Sequence, residues 1–129
     1  MPLRSLIVDD NARFLSAART LLEREGIAIV GVASSCAEAV QLAGELHPDV
    51  ALVDIDLGDE SGFDVARLLA GAGGPALSRV VLISAYPEAD FAELIAASPA
   101  VGFLSKSEVS ATNIHEVLRQ APNGGRRAG

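Results

Sequence analysis

Apolar runs alternate with amphipathic runs five times along the 129 residues of the chain. Short apolar runs predict strands that are buried on both sides, and the amphipathic runs predict helices packed on the two faces of a parallel sheet. Strands that alternate with helices in this way indicate a doubly wound α/β domain. The predicted strands cover residues 5–8, 27–33, 50–53, 79–83 and 101–104.

Local signals place a helix after each predicted strand. Gly26 ends the first helix, and Ser35 with Glu38 has the S-x-x-E spacing of a capping box at the start of the second. Pro87 stands at a first-turn position, where its missing N–H costs nothing. The predicted helices cover 12–25, the segment between Ser35 and Pro48, 63–69, 88–97 and 110–120.

A single domain is expected over residues 1–121, since no repeat or charge run divides the chain. Within it, the segment 71–77 reads GAGGPAL and is predicted to be a flexible connector. Residues 122–129, PNGGRRAG, are predicted to form a disordered tail.

Composition excludes several classes of protein. A net charge of −7 makes the domain a poor direct binder of nucleic acid, because phosphate backbones are held by clustered cations. The single cysteine, Cys36, cannot form an intramolecular disulfide, and no apolar stretch reaches the roughly 18 residues that a membrane helix needs. The sequence therefore predicts a cytoplasmic protein without a membrane contact.

Polar residues follow the predicted strands where the strands end. Asp9 and Asp10 follow the first strand, Asp54 the third, Ser84 the fourth, and Lys106, the only lysine, the fifth. The carboxyl ends of parallel strands lie at one edge of the sheet, where ligands of such folds bind. Carboxylates, a hydroxyl and an ammonium group are therefore expected to converge there.

Carboxylates gathered in this way need a counter-ion. Two of them about 4 Å apart repel by roughly 4 kcal/mol at an effective dielectric near 20. An all-oxygen ligand set favours Mg²⁺ over zinc, which would take His or Cys ligands. With the ion bound, one carboxylate could attack a phosphoryl group as a nucleophile, while metal and lysine stabilise the equatorial oxygens.

The arrangement resembles the receiver domain of bacterial two-component response regulators over about residues 4–121. The resemblance rests on the acidic pair after strand one, Asp54 with Gly62 eight residues later, the Ser84–Ala85 pair, and Lys106. It implies a flavodoxin-like (βα)5 fold with a parallel sheet of order 2-1-3-4-5. It also implies Mg²⁺ as cofactor and a histidine kinase or phosphotransfer protein as phosphodonor, with no enzymatic activity beyond the domain's own phosphorylation and dephosphorylation.

The resemblance also assigns roles to the residues at the strand ends. Asp54 is the expected phosphoacceptor and, with Asp10, a direct metal ligand. Asp9 is expected to reach the metal largely through water, and the backbone carbonyl of Asp56 to complete the set. Ser84 would be the switch hydroxyl and Lys106 the phosphate-binding cation.

Three further expectations concern the switch. Ser84 is expected to move toward the phosphoryl group so that Phe103, the family's switch aromatic, rotates into the vacated space. Asp56 and Tyr86 are expected to set the lifetime of the phosphorylated state. The face of helix four, strand five and helix five is expected to carry a homodimer or another partner contact.

Two positions depart from the family pattern. Gly58 stands where a proline is usual four residues after the acceptor, and Ser107 stands where a proline usually follows the lysine. The lysine–proline bond is often cis in the family, and a cis bond before Ser107 would cost about 2.5 to 4 kcal/mol. The Lys106–Ser107 bond is therefore predicted to be trans.

Simpler structural roles and other functions remain open at this stage. Asp9 and Asp10 could cap the first helix, and Ser84 the fourth. Asp56 could be an ordinary loop residue and Lys106 a solvated charge. Asp54-Ile55-Asp56 also resembles the D-x-D motif of haloacid-dehalogenase phosphatases, although there the motif comes first along the chain. A receiver-like interaction module that never carries phosphate is the third alternative.

Overall fold

The computed structural model describes residues 2–70 and 79–120. The predicted connector 71–77 and the predicted tail 122–129 lie outside the described residues. No cis peptide bond occurs within the described ranges, in agreement with the trans bond predicted between Lys106 and Ser107.

The central sheet has five parallel strands, which are in chain order β1 Arg4–Val8, β2 Ala28–Ala33, β3 Val50–Asp54, β4 Arg79–Ser84 and β5 Gly102–Ser105. Their order in the sheet is β2-β1-β3-β4-β5, which confirms the predicted topology. The inner strands β1, β3 and β4 are buried along almost their whole length because helices cover both faces of the sheet.

The helices begin and end close to the predicted signals. The Ser35 hydroxyl accepts a hydrogen bond from the amide of Glu38, as the capping box requires, although the Glu38 carboxylate accepts from Ser34 and not from Ser35. Ser110 caps the last helix through the amide of Asn113. The helices are α1 Ala12–Arg24, α2 Cys36–Leu46, α3 Gly62–Ala70, α4 Ala92–Ala97 and α5 Ala111–Gln120.

The core consists of two apolar layers, one on each face of the sheet. Alternate strand residues supply both layers: Leu6 and Val53 point toward α2 and α3, whereas Ile7 and Leu52 point toward α1 and α5. All four side chains are fully buried. The sheet is thus fixed on both sides, and the loops at its carboxyl edge project from a rigid base.

The predicted helix over 88–97 is wrong in its first half. Residues Glu88–Phe91 form a 3-10 turn, and only Ala92–Ala97 are α-helical. Nothing in either element is fully buried, and only Phe91 and Ile95 pack on the core from this segment. With so little apolar surface to bury, the segment gains little from a regular amphipathic helix.

A small hairpin inside the predicted loop 54–62 was not expected. Asp56–Leu57 pairs antiparallel with Glu60–Ser61, and Gly58 at the turn has a φ of +72°. A proline is held near a φ of −65°, so the proline usual in the family cannot occupy this conformation. Gly58 is therefore a requirement of this hairpin, where glycine is favoured at the first central position.

Candidate functional site

The carboxylates that follow β1 and β3 meet at the carboxyl edge of the sheet. Strands β1 and β3 are neighbours with Val8 opposite Val53, so the residues that follow them emerge side by side. Asp9, Asp10 and Asp54 each offer an oxygen atom, and these atoms lie within 4.8 Å of one another. We call these three residues the carboxylate cluster.

Asp9 is completely buried and its two oxygens have different partners. One oxygen accepts a hydrogen bond of 2.8 Å from the amide of Asn11, and the other lies 2.6 Å from the Lys106 ammonium. Asn11, and neither aspartate, caps α1, because its side chain accepts from the amide of Phe14 at 3.1 Å. The alternative in which Asp9 or Asp10 serves as the helix cap is therefore wrong.

Asp54 stands at the end of β3 with 5 % of its surface exposed. One carboxylate oxygen accepts a hydrogen bond of 3.0 Å from the Asp56 amide, and the other lies 3.0 Å from the Lys106 ammonium. Asp56 itself is exposed and accepts from the amide of Gly58 at 3.2 Å. Its side chain is outside the carboxylate cluster, so Asp56 contributes to Asp54 through its backbone N–H.

Burial dominates the electrostatics of Asp54. Desolvation raises the pKa of the Asp54 carboxyl from 3.8 to about 6, and the charge of Asp9 adds to the rise. The hydrogen bonds from Asp56 and Lys106 oppose it without cancelling it. Burial therefore destabilises the ionised form of Asp54 relative to its protonated form.

Lys106 is a half-buried counter-charge, and the alternative of a solvated surface lysine is wrong. Only 17 % of its side chain is exposed, and its ammonium group bridges Asp9 and Asp54. Burial by itself would lower the pKa of Lys106, but the hydrogen bonds and charges of the two aspartates outweigh burial and raise the pKa. The ammonium form is thus the stable one at this position.

Ser84 ends β4 next to Ile83, the register partner of Asp54. It is buried, and its hydroxyl oxygen accepts a hydrogen bond of 2.9 Å from the Tyr86 amide. The turn that follows begins at Pro87 without a side-chain cap, so Ser84 is not a helix cap. This hydrogen bond leaves the hydroxyl proton of Ser84 free to be donated.

An open cleft of about 270 Å³ lies over the carboxyl edge of the sheet. Asp10, Asp54, Ser84 and Lys106 line it together with Tyr86, which is 58 % exposed. The lining combines metal-binding oxygens with a hydroxyl and an ammonium group, a set of groups that suits a phosphoryl group and a divalent cation.

Phe103 lies apart from this cleft. It is opposite Leu82 in the β4–β5 register, is half-buried, and packs on the core layer on the α2 and α3 side of the sheet. Neither the cleft nor the carboxylate cluster includes its ring. The structure brings together the other residues predicted at the site, and the role of Phe103 stays a prediction.

Phe14 is a neighbour of the site that the sequence did not reveal. Its ring centroid lies 4.6 Å from the Lys106 ammonium, within the range of a cation–π contact. Phe14 follows the apolar periodicity of α1, which predicts a core position and carries no signal of a contact with residue 106.

Among residues 2–70 and 79–120, no helix is both long enough and apolar enough to cross a membrane.

Comparison with known proteins gives a consistent result. Residues 5–119 match the family model of the response regulator receiver domain. A protein of Pseudomonas aeruginosa named as a transcriptional regulator is 36% identical over 116 residues, which make up 90% of this chain and 53% of that protein. The chain thus spans about half the length of this relative.

Two solved structures extend the comparison. A two-component response regulator of the LuxR family from Aurantimonas is 26% identical, with a TM-score of 0.79 over 100% of this chain and 90% of that one. A response regulator from Burkholderia pseudomallei, solved with a phosphorylated aspartic acid, a calcium ion and citrate, is 26% identical. Its TM-score is 0.77 over 92% of this chain and 67% of that one.

These matches bear on the alternatives that the sequence left open. The family model covers both the acidic pair and the lysine, and the three similar proteins described above are named as response regulators or a transcriptional regulator. They support a phosphorelay receiver and not a phosphatase of the haloacid-dehalogenase type. With a family match that runs from residue 5 to residue 119, the chain belongs to the response regulator receiver domains.

Proposed function

We propose that Asp54 accepts a phosphoryl group from a histidine kinase or a phosphotransfer protein, and that the phosphorylated domain controls a regulator of transcription. The observation that carries the proposal is the Lys106 ammonium, 3.0 Å from Asp54 and 2.6 Å from Asp9, beside an open cleft. The phosphorylated aspartic acid named for the Burkholderia structure supports an aspartate as acceptor. The cytoplasm is the compartment in which we expect the domain to act.

Asp54 would act as a nucleophile in the transfer. One carboxylate oxygen attacks phosphorus, the new O–P bond forms, and the bond from phosphorus to the donor breaks with its electron pair leaving on the donor. Lys106 would then contact a phosphoryl oxygen, and the free hydroxyl proton of Ser84 would be donated to another. Both groups stabilise the charge that is spread over the equatorial oxygens.

Mg²⁺ is the cation that fits the carboxylate cluster. The donors are all oxygens: Asp10 is exposed to the cleft, Asp54 is buried but lines it, and Asp9 is buried outside its lining. Asp10 and Asp54 would be direct ligands, with Asp9 behind them and the Asp56 carbonyl completing the protein's share. A bound ion would neutralise part of the phosphoryl charge.

Stoichiometry tests the proposal. Incubation with acetyl phosphate and Mg²⁺ should add one phosphoryl group per chain, detectable by intact-protein mass spectrometry. The Asp54→Asn variant should gain none, because an amide is not a competent nucleophile. No gain of mass in the wild-type protein, or sustained turnover of unrelated phosphoesters, would refute a stoichiometric acceptor.

Stabilisation by Mg²⁺ should depend on pH. A carboxyl whose pKa rises from 3.8 to about 6 on folding favours the folded state below its unfolded pKa. That contribution is lost as the pH rises through about 6. Mg²⁺ needs the ionised carboxylate, so it should raise the melting temperature more at about pH 7.5 than at about pH 5. An equal rise in melting temperature at both pH values would contradict this. So would a rise in Asp54→Asn at about pH 7.5 that equals the rise in the wild type.

Tyr86 should slow hydrolysis of the acyl phosphate. Tyr86 lines the cleft and its backbone amide donates a hydrogen bond to Ser84, which supports a role in hindering the approach of water to the acyl phosphate. We expect Tyr86→Ala to lose its phosphoryl group several-fold faster, measured by the decay of the phosphorylated mass after donor removal. Tyr86→Phe keeps the ring and should decay like the wild type, whereas an unchanged Ala variant would refute the shielding role.

Phe103 should transmit the phosphorylated state to the face formed by α4, β5 and α5. Movement of Ser84 toward the phosphoryl group would free space for the Phe103 ring and shift a two-state equilibrium. We propose that phosphorylation favours a homodimer through this face, and we expect Phe103→Ala to be phosphorylated at the wild-type rate but to form less of that homodimer in sedimentation experiments. A variant that still dimerises on phosphorylation would reject this role.

A further inference from the structure

Lys106 and three other residues form a closed ring of contacts. The Asn11 amide donates to Asp9, and the Asn11 side chain accepts from the amide of Phe14. The Phe14 ring faces the Lys106 ammonium at 4.6 Å, and the ammonium returns to Asp9 at 2.6 Å. The start of α1 therefore contacts both members of the ion pair: Asn11 contacts Asp9, and Phe14 contacts Lys106.

We propose that Phe14 is a positioning residue for phosphoryl transfer, which holds the Lys106 ammonium where it can bind the phosphoryl group on Asp54. This inference rests on the proposed function of Asp54 and Lys106. It adds a residue that would act on the phosphoryl group through Lys106.

The need for a positioning residue follows from the chemistry of the step. Before transfer, two carboxylates hold the ammonium, with Asp54 at 3.0 Å and Asp9 at 2.6 Å. Transfer converts the Asp54 carboxylate into an acyl phosphate, so the ammonium loses one of its two carboxylate partners. A lysine stem has four flexible carbons, and Asp9 alone could draw the ammonium away from the new phosphoryl oxygens.

The aromatic face supplies an attraction that the reaction does not consume. A ring quadrupole attracts a cation through its face, and this attraction is stronger where water is excluded. The lysine side chain is only 17 % exposed and Phe14 is half-buried, so the contact lies in such a place. The backbone of Phe14 is fixed by the Asn11 cap, which keeps the ring in register with the lysine.

An aliphatic residue would fill the same space without this attraction. Phe14 also packs on the core layer on the α1 and α5 side of the sheet, so a loss of packing must be separated from a loss of the ring face. Phe14→Leu keeps an apolar side chain and removes the ring, whereas Phe14→Tyr keeps the ring. Leu15→Ala is the matched control, since Leu15 is a half-buried neighbour on the same core layer.

The experiment measures the rate of phosphoryl incorporation from acetyl phosphate with Mg²⁺, at a temperature where circular dichroism shows every variant to be folded. Phe14→Leu should be slower by roughly 2-fold to 30-fold, the range that cation–π energies correspond to. Phe14→Tyr and Leu15→Ala should stay within about twofold of the wild type. In a Lys106→Ala background, where no ammonium remains to be positioned, Phe14→Leu should cause no further loss.

Three results would overturn the inference: a wild-type rate in Phe14→Leu, an equal loss in the Leu and Tyr variants, or an undiminished loss in the Lys106→Ala background. If any of these results is seen but the wild-type protein is labelled on Asp54, the proposed function stands. A wild-type protein that is not labelled at all would refute the proposed function itself.

Discussion

Alanine at position 62 is expected to lower the free energy of unfolding by about 3 kcal/mol, the upper end of the range for overpacking a core. A β-carbon on Gly62 would overlap the carbonyl oxygen of Asp54 and lie 2.7 Å from the carbonyl carbon. Both neighbours are backbone atoms of a buried strand end, so no side-chain rotation relieves the clash. Urea unfolding in the absence of Mg²⁺ measures this loss.

The same substitution should also impair phosphorylation. The atoms that must move belong to Asp54, and the Gly62 amide donates to the Ile55 carbonyl at 2.7 Å, which ties α3 to the end of β3. A displacement of this strand end moves the acceptor carboxylate relative to Lys106. We expect a lower rate of phosphoryl incorporation in Gly62→Ala even at temperatures where the variant is folded.

Gly44→Ala is the matched control for position 62. Gly44 lies inside α2, and a β-carbon there would meet no atom within 4 Å. Alanine should leave stability unchanged or raise it by roughly 0.5–1 kcal/mol, because glycine is unfavourable in a helix interior. If Gly62→Ala proved as stable and as reactive as Gly44→Ala, the close approach of α3 to Asp54 would be refuted.

Removal of the Lys106 ammonium should have the second large effect. Lys106→Met keeps most of the apolar stem but leaves Asp9 and Asp54 buried without their cation. Breaking a buried ion pair in this way costs about 3 kcal/mol at neutral pH. The rate of phosphoryl incorporation should fall roughly 100-fold, the loss typical when one group that stabilises a developing charge is removed.

Mg²⁺ distinguishes this effect from a general loss of packing. The ion would supply positive charge to the carboxylates that the lysine leaves behind, so it should stabilise Lys106→Met more than the wild type. Arg19→Met is the control, because it removes the cation of an exposed ion pair in which Arg19 lies 3.3 Å from Glu23. It should change the free energy of unfolding by less than about 1 kcal/mol. A Lys106→Met protein as stable as Arg19→Met without Mg²⁺ would show that the buried ion pair contributes little.

The sheet and the carboxylate cluster could be predicted because they depend on short-range patterns. Buried parallel strands are continuous apolar runs, and residues that follow such strands meet at one edge of the sheet. Asp9 and Asp54 follow such runs directly and Lys106 follows one after Ser105, so their convergence needed no knowledge of side-chain geometry. In the structure the Lys106 ammonium lies 2.6 Å from Asp9 and 3.0 Å from Asp54.

Other features depend on contacts between distant segments and could not be predicted. Phe14 and Lys106 are far apart in the chain, and an apolar residue on a helix face indicates core packing and nothing more. The 3-10 turn at Glu88–Phe91 replaces a helix because the segment buries too little surface to enforce one. The hairpin around Gly58 depends on a positive φ that the family pattern, with proline there, argued against.

The identity of the modified residue decides whether Asp54 is the phosphoacceptor. The phosphorylated wild-type protein can be reduced with borohydride, which converts an acyl phosphate on aspartate into homoserine, and its peptides sequenced by mass spectrometry. We predict homoserine at position 54 and an unmodified Asp9, Asp10 and Asp56. Homoserine at another aspartate, or full labelling of Asp54→Asn, would contradict the account.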